Sequence, residues 1–200
     1  LVVGRFVGTA ALSAVSTCGE LVNFYGMIGM GLASAGQIII AQFVGKNDKD
    51  SVGKTVGAMF SVLTVLAVLF SVLCILTLDR QLRWIKLPAE ALADGRRYTL
   101  VSAVGFVFIY GYNAVSAALR GMGDSKRPLL FVAIASVANL LLDLLFVLGF
   151  GWGAFGAALA TIMGQAFSLV SSVIYLYRRK DAFCFGFRLR SFRPERRYLK

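Results

Sequence analysis

In a chain of 200 residues, 58% are hydrophobic, only 16% are charged, and mean hydropathy is +0.76. An ordinary globular domain carries about 25% charged residues, so a water-soluble fold with a polar surface is excluded. The net charge of +11 would suit nucleic acid, but the basic residues lie between and after apolar runs, where a membrane protein places them for topology, and nucleic acid is set aside as a partner.

The apolar runs come in succession. Residues 21–45, 55–78 and 98–119 hold no charge, and 128–177 holds only Asp143. About 20 apolar residues cross a hydrocarbon core of ~30 Å. The pattern predicts five complete transmembrane helices at about 14–44, 55–78, 98–119, 129–148 and 155–177. Residues 1–7 read as the outer end of an earlier span, which makes the expected fold an all-α, polytopic six-helix bundle. The membrane domain is expected over 1–178, followed by a basic cytoplasmic linker over 179–200.

The connections carry turn chemistry. Gly45 to Asp50 form one, and Arg120 to Pro128 another, with Pro128 placed to open the next helix. The stretch 79–97 is longer and reads as an interfacial loop with Trp84 and Pro88, while 149–153 is a tight apolar turn with an interfacial Trp152. Most of the 21 Lys and Arg fall on one side: Lys46, Lys49, Lys54, Arg120, Lys126, Arg127 and those of 178–200. The positive-inside rule assigns that side, with loops 45–54 and 120–128 and the tail 178–200, to the cytoplasm. The tail mixes arginines with Phe183, Phe185, Phe187 and Phe192. Either a lipid-headgroup contact or a plain solvated linker fits it.

Enzyme chemistry has little to stand on. There is no histidine, and Cys18, Cys74 and Cys184 are far apart, which argues against zinc, haem or a thiol nucleophile and for no resident cofactor. Asp143 is different. A charged carboxylate in hydrocarbon costs about 2.5–3.5 kcal/mol even on the lenient insertion scale, so it should face protein or a water-filled cavity. Asn139 is one turn earlier on the same face. At about 1.5 Å per residue, Asp143 lies roughly 7 Å inside the outer end of its helix. Thr161, on the helix returning from about residue 155, lies at roughly 9 Å by the same rise. A carboxylate, an amide and a hydroxyl at one depth suit a Na⁺ ion or a proton relay. The plainer alternative is an interhelical hydrogen bond made only for packing. Gln37, Asn113 and Gln165 are candidate cavity-lining residues, although interhelical glue is the commoner role. Gly26, Gly29, Gly31, Ala33 and Gly36 smooth one helix, and Gly156, Ala160 and Gly164 repeat a small residue every fourth position on another.

Several motifs are similar to those of the multidrug and toxic compound extrusion (MATE) transporters. They are Val3-Gly4 through Val15, Gly31 to Gly36 followed by Ala41-Gln42-Phe43-Val44-Gly45, and Leu119-Arg120-Gly121-Met122-Gly123-Asp124-Ser125-Lys126-Arg127-Pro128. Asn139 to Asp143 and Gly156 to Thr161 complete the series, in family order over the whole chain. The resemblance implies one lobe of a two-lobed, twelve-helix transporter in a bacterial cell membrane, here the amino-terminal one. Its partners would be membrane lipid, small organic substrates and the carboxy-terminal lobe. It implies a cation site at Asn139, Asp143 and Thr161, with an acidic partner preceding Leu1. The implied activity is export of organic, often cationic compounds against Na⁺ or H⁺. Two alternatives are a flippase for lipid-linked precursors, for which the complete spans show no intramembrane Lys or Arg, and a non-transporting membrane module.

Overall fold

The computed structural model describes residues 9–178, and within them every regular element is a helix. Helix α1 runs Thr9–Gly45 and α2 Lys49–Leu76. A short α3, Leu78–Trp84, and a 3₁₀ turn, Ala89–Ala91, lead into α4, Leu92–Val104. Helix α5 is Phe106–Gly121, α6 is Lys126–Asp143 continued by a π-helical turn Leu144–Gly149, and α7 is Gly153–Arg178. By length and composition, α1, α2, α6 with its π turn, and α7 can each cross a membrane. The pair on either side of Gly105, bent by 44°, makes a fifth when counted as one broken span.

Two expectations are corrected here. The stretch 79–97 is helical for much of its length rather than a loop, because α3 and the start of α4 fold there, with Trp84 left exposed. The third span is a broken helix starting well before residue 98. Its break is at Gly105, where a Cβ would meet Ile162 Cγ1 of α7 at 2.5 Å. Only a glycine lets the backbone pass so close, and helices kink where glycine weakens the ladder. The remaining spans lie close to the predicted limits. The expected end of an earlier helix and the basic-aromatic tail lie outside the described residues, as does Cys184.

The core explains the packing order. Tyr110 and Phe106 of α5 are fully buried against Tyr25 of α1, with ring centroids 6.4 Å apart for the α5 pair and 5.3 Å for Phe106 and Tyr25. The Tyr110 hydroxyl donates to the Tyr25 carbonyl at 2.6 Å. In the same layer, Gln81 of α3 donates through Nε2 to the Tyr25 hydroxyl at 2.9 Å, so the short helix is pinned to the bundle. Outside, Val65, Leu76, Val104, Leu129, Val137 and Leu141 are exposed. An apolar exterior around a core holding buried polar side chains such as Gln81 and Ser172 suits lipid as solvent.

The two ends of the bundle differ. At the basic end, Arg120 Nε donates to Gln37 Oε1 at 2.9 Å and its Nη1 to Ser116 Oγ at 2.7 Å. At the opposite end Phe146, Phe150, Trp152 and Phe155 form a run of adjacent rings about the turn. Aromatic side chains of that kind settle at a membrane–water interface. Gly151 takes a left-handed φ of 67° in that turn, which lets α6 and α7 reverse direction within a few residues.

Candidate functional site

The site is built on the antiparallel seam between α6 and α7. The small residues of α7 make the seam close. A Cβ on Gly164 would meet Asn139 Cβ at 3.3 Å and the Ala135 carbonyl at 3.4 Å, and one on Gly156 would meet Phe146 Cβ at 3.0 Å. The every-fourth-residue repeat therefore sets how near the two backbones run.

Asn139 and Thr161 come together as lining residues of one cleft of about 120 Å³ along this seam. Gln165 lines it as well, with Ser136, Ser168, Val132, Ala135 and Gly164. Asp143 does not line the cleft; it stands one helical turn beyond Asn139, half-buried, at the last α-helical residue before the π turn. Single π turns inside α-helices occur frequently at functional sites, because they change the direction in which successive side chains project.

The polar atoms here are under-used. Asn139 Nδ2 and Asp143 Oδ1 are both buried and neither has a hydrogen-bond partner among the described residues. Most buried polar atoms in folded proteins are paired, so each orphan calls for an explanation such as an ion or water. Lys54–Asp50 and Arg96–Asp79 pair on the surface, away from Asp143. Thr161 Oγ1 donates to the Ala157 carbonyl at 3.0 Å, which uses its proton and leaves its lone pairs as acceptors.

The other candidates are elsewhere. Gln37 is engaged by Arg120 at the basic end, and Asn113 is half-buried on α5; neither lines this cleft. Ser136 and Ser168 were not singled out by sequence, yet a signal for them existed. Ser136, Asn139 and Asp143 follow i, i+3, i+7 on α6, and Thr161, Gln165 and Ser168 follow i, i+4, i+7 on α7, each a one-face stripe. Thr99 Oγ1 on α4 is also buried without a partner. Among the described residues no group of three His, Cys, Asp or Glu could hold a metal ion.

A model of the MatE family matches residues 1–145, most of the chain. The chain belongs to the MatE family. It is similar to two curated members from Bacillus subtilis (strain 168). The probable multidrug resistance protein YpnP is 32% identical over 178 residues, covering 89% of this chain and 40% of that protein. The probable multidrug resistance protein YoeA is 30% identical over 205 residues, covering 100% of this chain and 43% of that protein. The fold matches a solved inward-facing multidrug resistance MATE transporter of the MOP superfamily with TM-score 0.90 at 26% identity, over 99% of this chain and 45% of that one. An outward-facing structure of such a transporter matches with TM-score 0.86 at 27% identity, over 96% and 43%. This MatE chain thus spans less than half the length of these relatives. The all-α membrane bundle and the family resemblance expected from the sequence are both borne out.

Proposed function

We propose that this chain forms the amino-terminal lobe of a longer secondary transporter, which exports organic, often cationic compounds against an inward flow of Na⁺ or H⁺. The observation that carries it is the pair of buried, unpartnered atoms Asn139 Nδ2 and Asp143 Oδ1, one turn apart on an apolar helix. Intramembrane carboxylates are expensive and mark ion or proton pathways. In this reading Asp143 supplies the charge for the coupling ion. The Thr161 lone pairs and the Asn139 amide, which can turn its oxygen inward, supply neutral oxygens. The relatives being described as multidrug resistance proteins and transporters supports transport rather than catalysis.

The basic end is assigned to the cytoplasm by its excess of Lys and Arg. Asp143 then lies in the outer half of the bundle, where an ion arriving from outside reaches it first. Ion binding drives transport only if it favours one conformation of the lobe over another. The π turn beside Asp143 and the 44° break at Gly105 are the places where the helical ladder is already interrupted.

The test uses the full-length transporter reconstituted in vesicles under an imposed Na⁺ or H⁺ gradient. Asp143→Asn is expected to fold, as judged by its melting temperature in detergent, and to lose gradient-driven efflux. Export at the parental rate in that variant would refute the coupling role. A change in melting temperature with efflux intact would make Asp143 a packing residue.

A further inference from the structure

The cleft between α6 and α7 does not stop at the Asn139 level. It descends toward the basic end along Ser136, Gln165 and Ser168, reaching Val132. Seven residues separate Thr161 from Ser168, or roughly 10 Å of helix at about 1.5 Å per residue. Five of its eight lining residues carry a hydroxyl or an amide. Its volume of about 120 Å³ is room for several waters, each needing about 10–15 Å³ on this measure. Ser168 is only 2% exposed, so its hydroxyl is held inside the seam, whereas Ser136 and Thr161 stand at the exposed mouth of the cleft.

Below the cleft the seam closes. Tyr175 of α7 packs edge-on against Phe131 of α6 at 5.8 Å, and its hydroxyl donates to Asp124 Oδ2 at 2.7 Å. The cleft therefore carries polar groups along its length, and toward the basic end it meets this contact, which has to part for an ion or a probe to pass to the cytoplasm.

We infer that this cleft is the hydrated cytoplasmic leg of the coupling-ion route, carrying a monovalent cation and its waters from the Asn139 level down to Ser168. The inference rests on the proposed coupling role of Asp143. The hydroxyl and amide oxygens replace part of the ion's hydration shell one after another, so no single position binds it tightly. Conduction of that kind needs sites weak enough to leave.

The experiment is cysteine accessibility in the full-length transporter, with Cys18, Cys74 and Cys184 replaced by Ala. Ser136→Cys and Ser168→Cys, which line the cleft, are compared with Val137→Cys, which is exposed as Ser136 is but lies outside the cleft on the apolar exterior. The probe is methanethiosulfonate ethyltrimethylammonium, a membrane-impermeant cation, applied to inside-out membrane vesicles. The expected result is labelling at positions 136 and 168 at least tenfold faster than at 137, slowed severalfold by raised Na⁺ or lowered pH. Labelling at 136 and 168 no faster than at 137 overturns the route, even if Asp143→Asn abolishes coupled efflux and the functional reading stands. Fast labelling that neither Na⁺ nor pH alters also overturns it, since the cleft would be wet without carrying the ion. Fast, ion-sensitive labelling alongside Asp143→Asn efflux at the parental rate would instead sink the functional reading, and the route with it.

Discussion

The Tyr175 hydroxyl donates to Asp124 Oδ2 at 2.7 Å, tying the basic end of α7 to a loop 51 residues earlier. Asp124 also accepts from the Arg127 backbone N–H at 3.2 Å through its other oxygen, and the Arg127 guanidinium lies 5.3 Å from the Tyr175 ring centre. One tyrosine thus holds the loop, the start of α6 and the end of α7 together. Tyr175→Phe removes one hydrogen bond and keeps the ring, so it should cost about 1 kcal/mol. Tyr175→Ala removes the ring as well and should cost about 3 kcal/mol. Unfolding in detergent measured for both variants checks the order; equal losses would mean the hydroxyl carries the whole contact.

Glycines that look alike in sequence should respond in opposite ways. A Cβ at Gly29 would stand 2.7 Å from Tyr110 Cε1, and Tyr110 cannot yield because it is fully buried and bonded to the Tyr25 carbonyl. Gly29→Ala should therefore lose about 1–3 kcal/mol, the usual range for overpacking. At Gly31 a Cβ meets nothing within 4 Å. Gly31→Ala should be neutral or gain up to about 1 kcal/mol from helix propensity. Melting temperatures in one detergent decide it, and a loss at both positions would show that α1 packs differently.

That contrast marks what the sequence could and could not say. The apolar runs located the spans because length and charge are enough to define a bilayer crossing. Whether Gly29 or Gly31 faces α5 depends on helix rotation, which five small residues in one stretch leave undefined. The break at Gly105 was hidden because Tyr98 to Leu119 reads as one charge-free run across it, and the charged start of the span, with Asp94, Arg96 and Arg97, looked like loop. Asp143 was legible because a lone carboxylate in hydrocarbon has few explanations. Ser136 and Ser168 were not, since a serine in a membrane helix can satisfy itself on its own backbone, as Ser172 does on the Ser168 carbonyl at 2.6 Å.

Asp48 supplies a pH-dependent cap. Its carboxylate accepts from Ser51 Oγ at 2.7 Å and from the Ser51 backbone N–H at 3.1 Å, at the start of α2. These bonds, the hydroxyl's first, hold its pKa below the ordinary value of 3.8. A group with a depressed folded-state pKa contributes fully above its unfolded value, and the contribution fades as pH falls through the folded one. The first-turn amides of α2 should thus lose exchange protection as the pH falls below the ordinary value of 3.8 and through the lowered folded one. Asp48→Asn keeps a capping oxygen without a titrating group and should flatten that profile. Persistence of the same pH dependence in Asp48→Asn would assign it to another residue.

Thr161 separates ion binding from packing. Its hydroxyl spends its proton on the Ala157 carbonyl, so only its lone pairs are available to a cation. Thr161→Ser keeps those lone pairs and should leave the apparent affinity for the coupling ion within about twofold of the parent. Thr161→Val keeps the branched shape and removes the oxygen. If one neutral oxygen ligand is worth about 1 kcal/mol, as a typical hydrogen bond is, the apparent affinity should fall about fivefold. The maximal efflux rate at saturating gradient should change little, because Asp143 still supplies the charge. Efflux measured against Na⁺ or H⁺ concentration distinguishes the cases. A Val variant with unchanged affinity would remove Thr161 from the site, whereas a drop in maximal rate at unchanged affinity would place its role in the movement of α7 rather than in holding the ion.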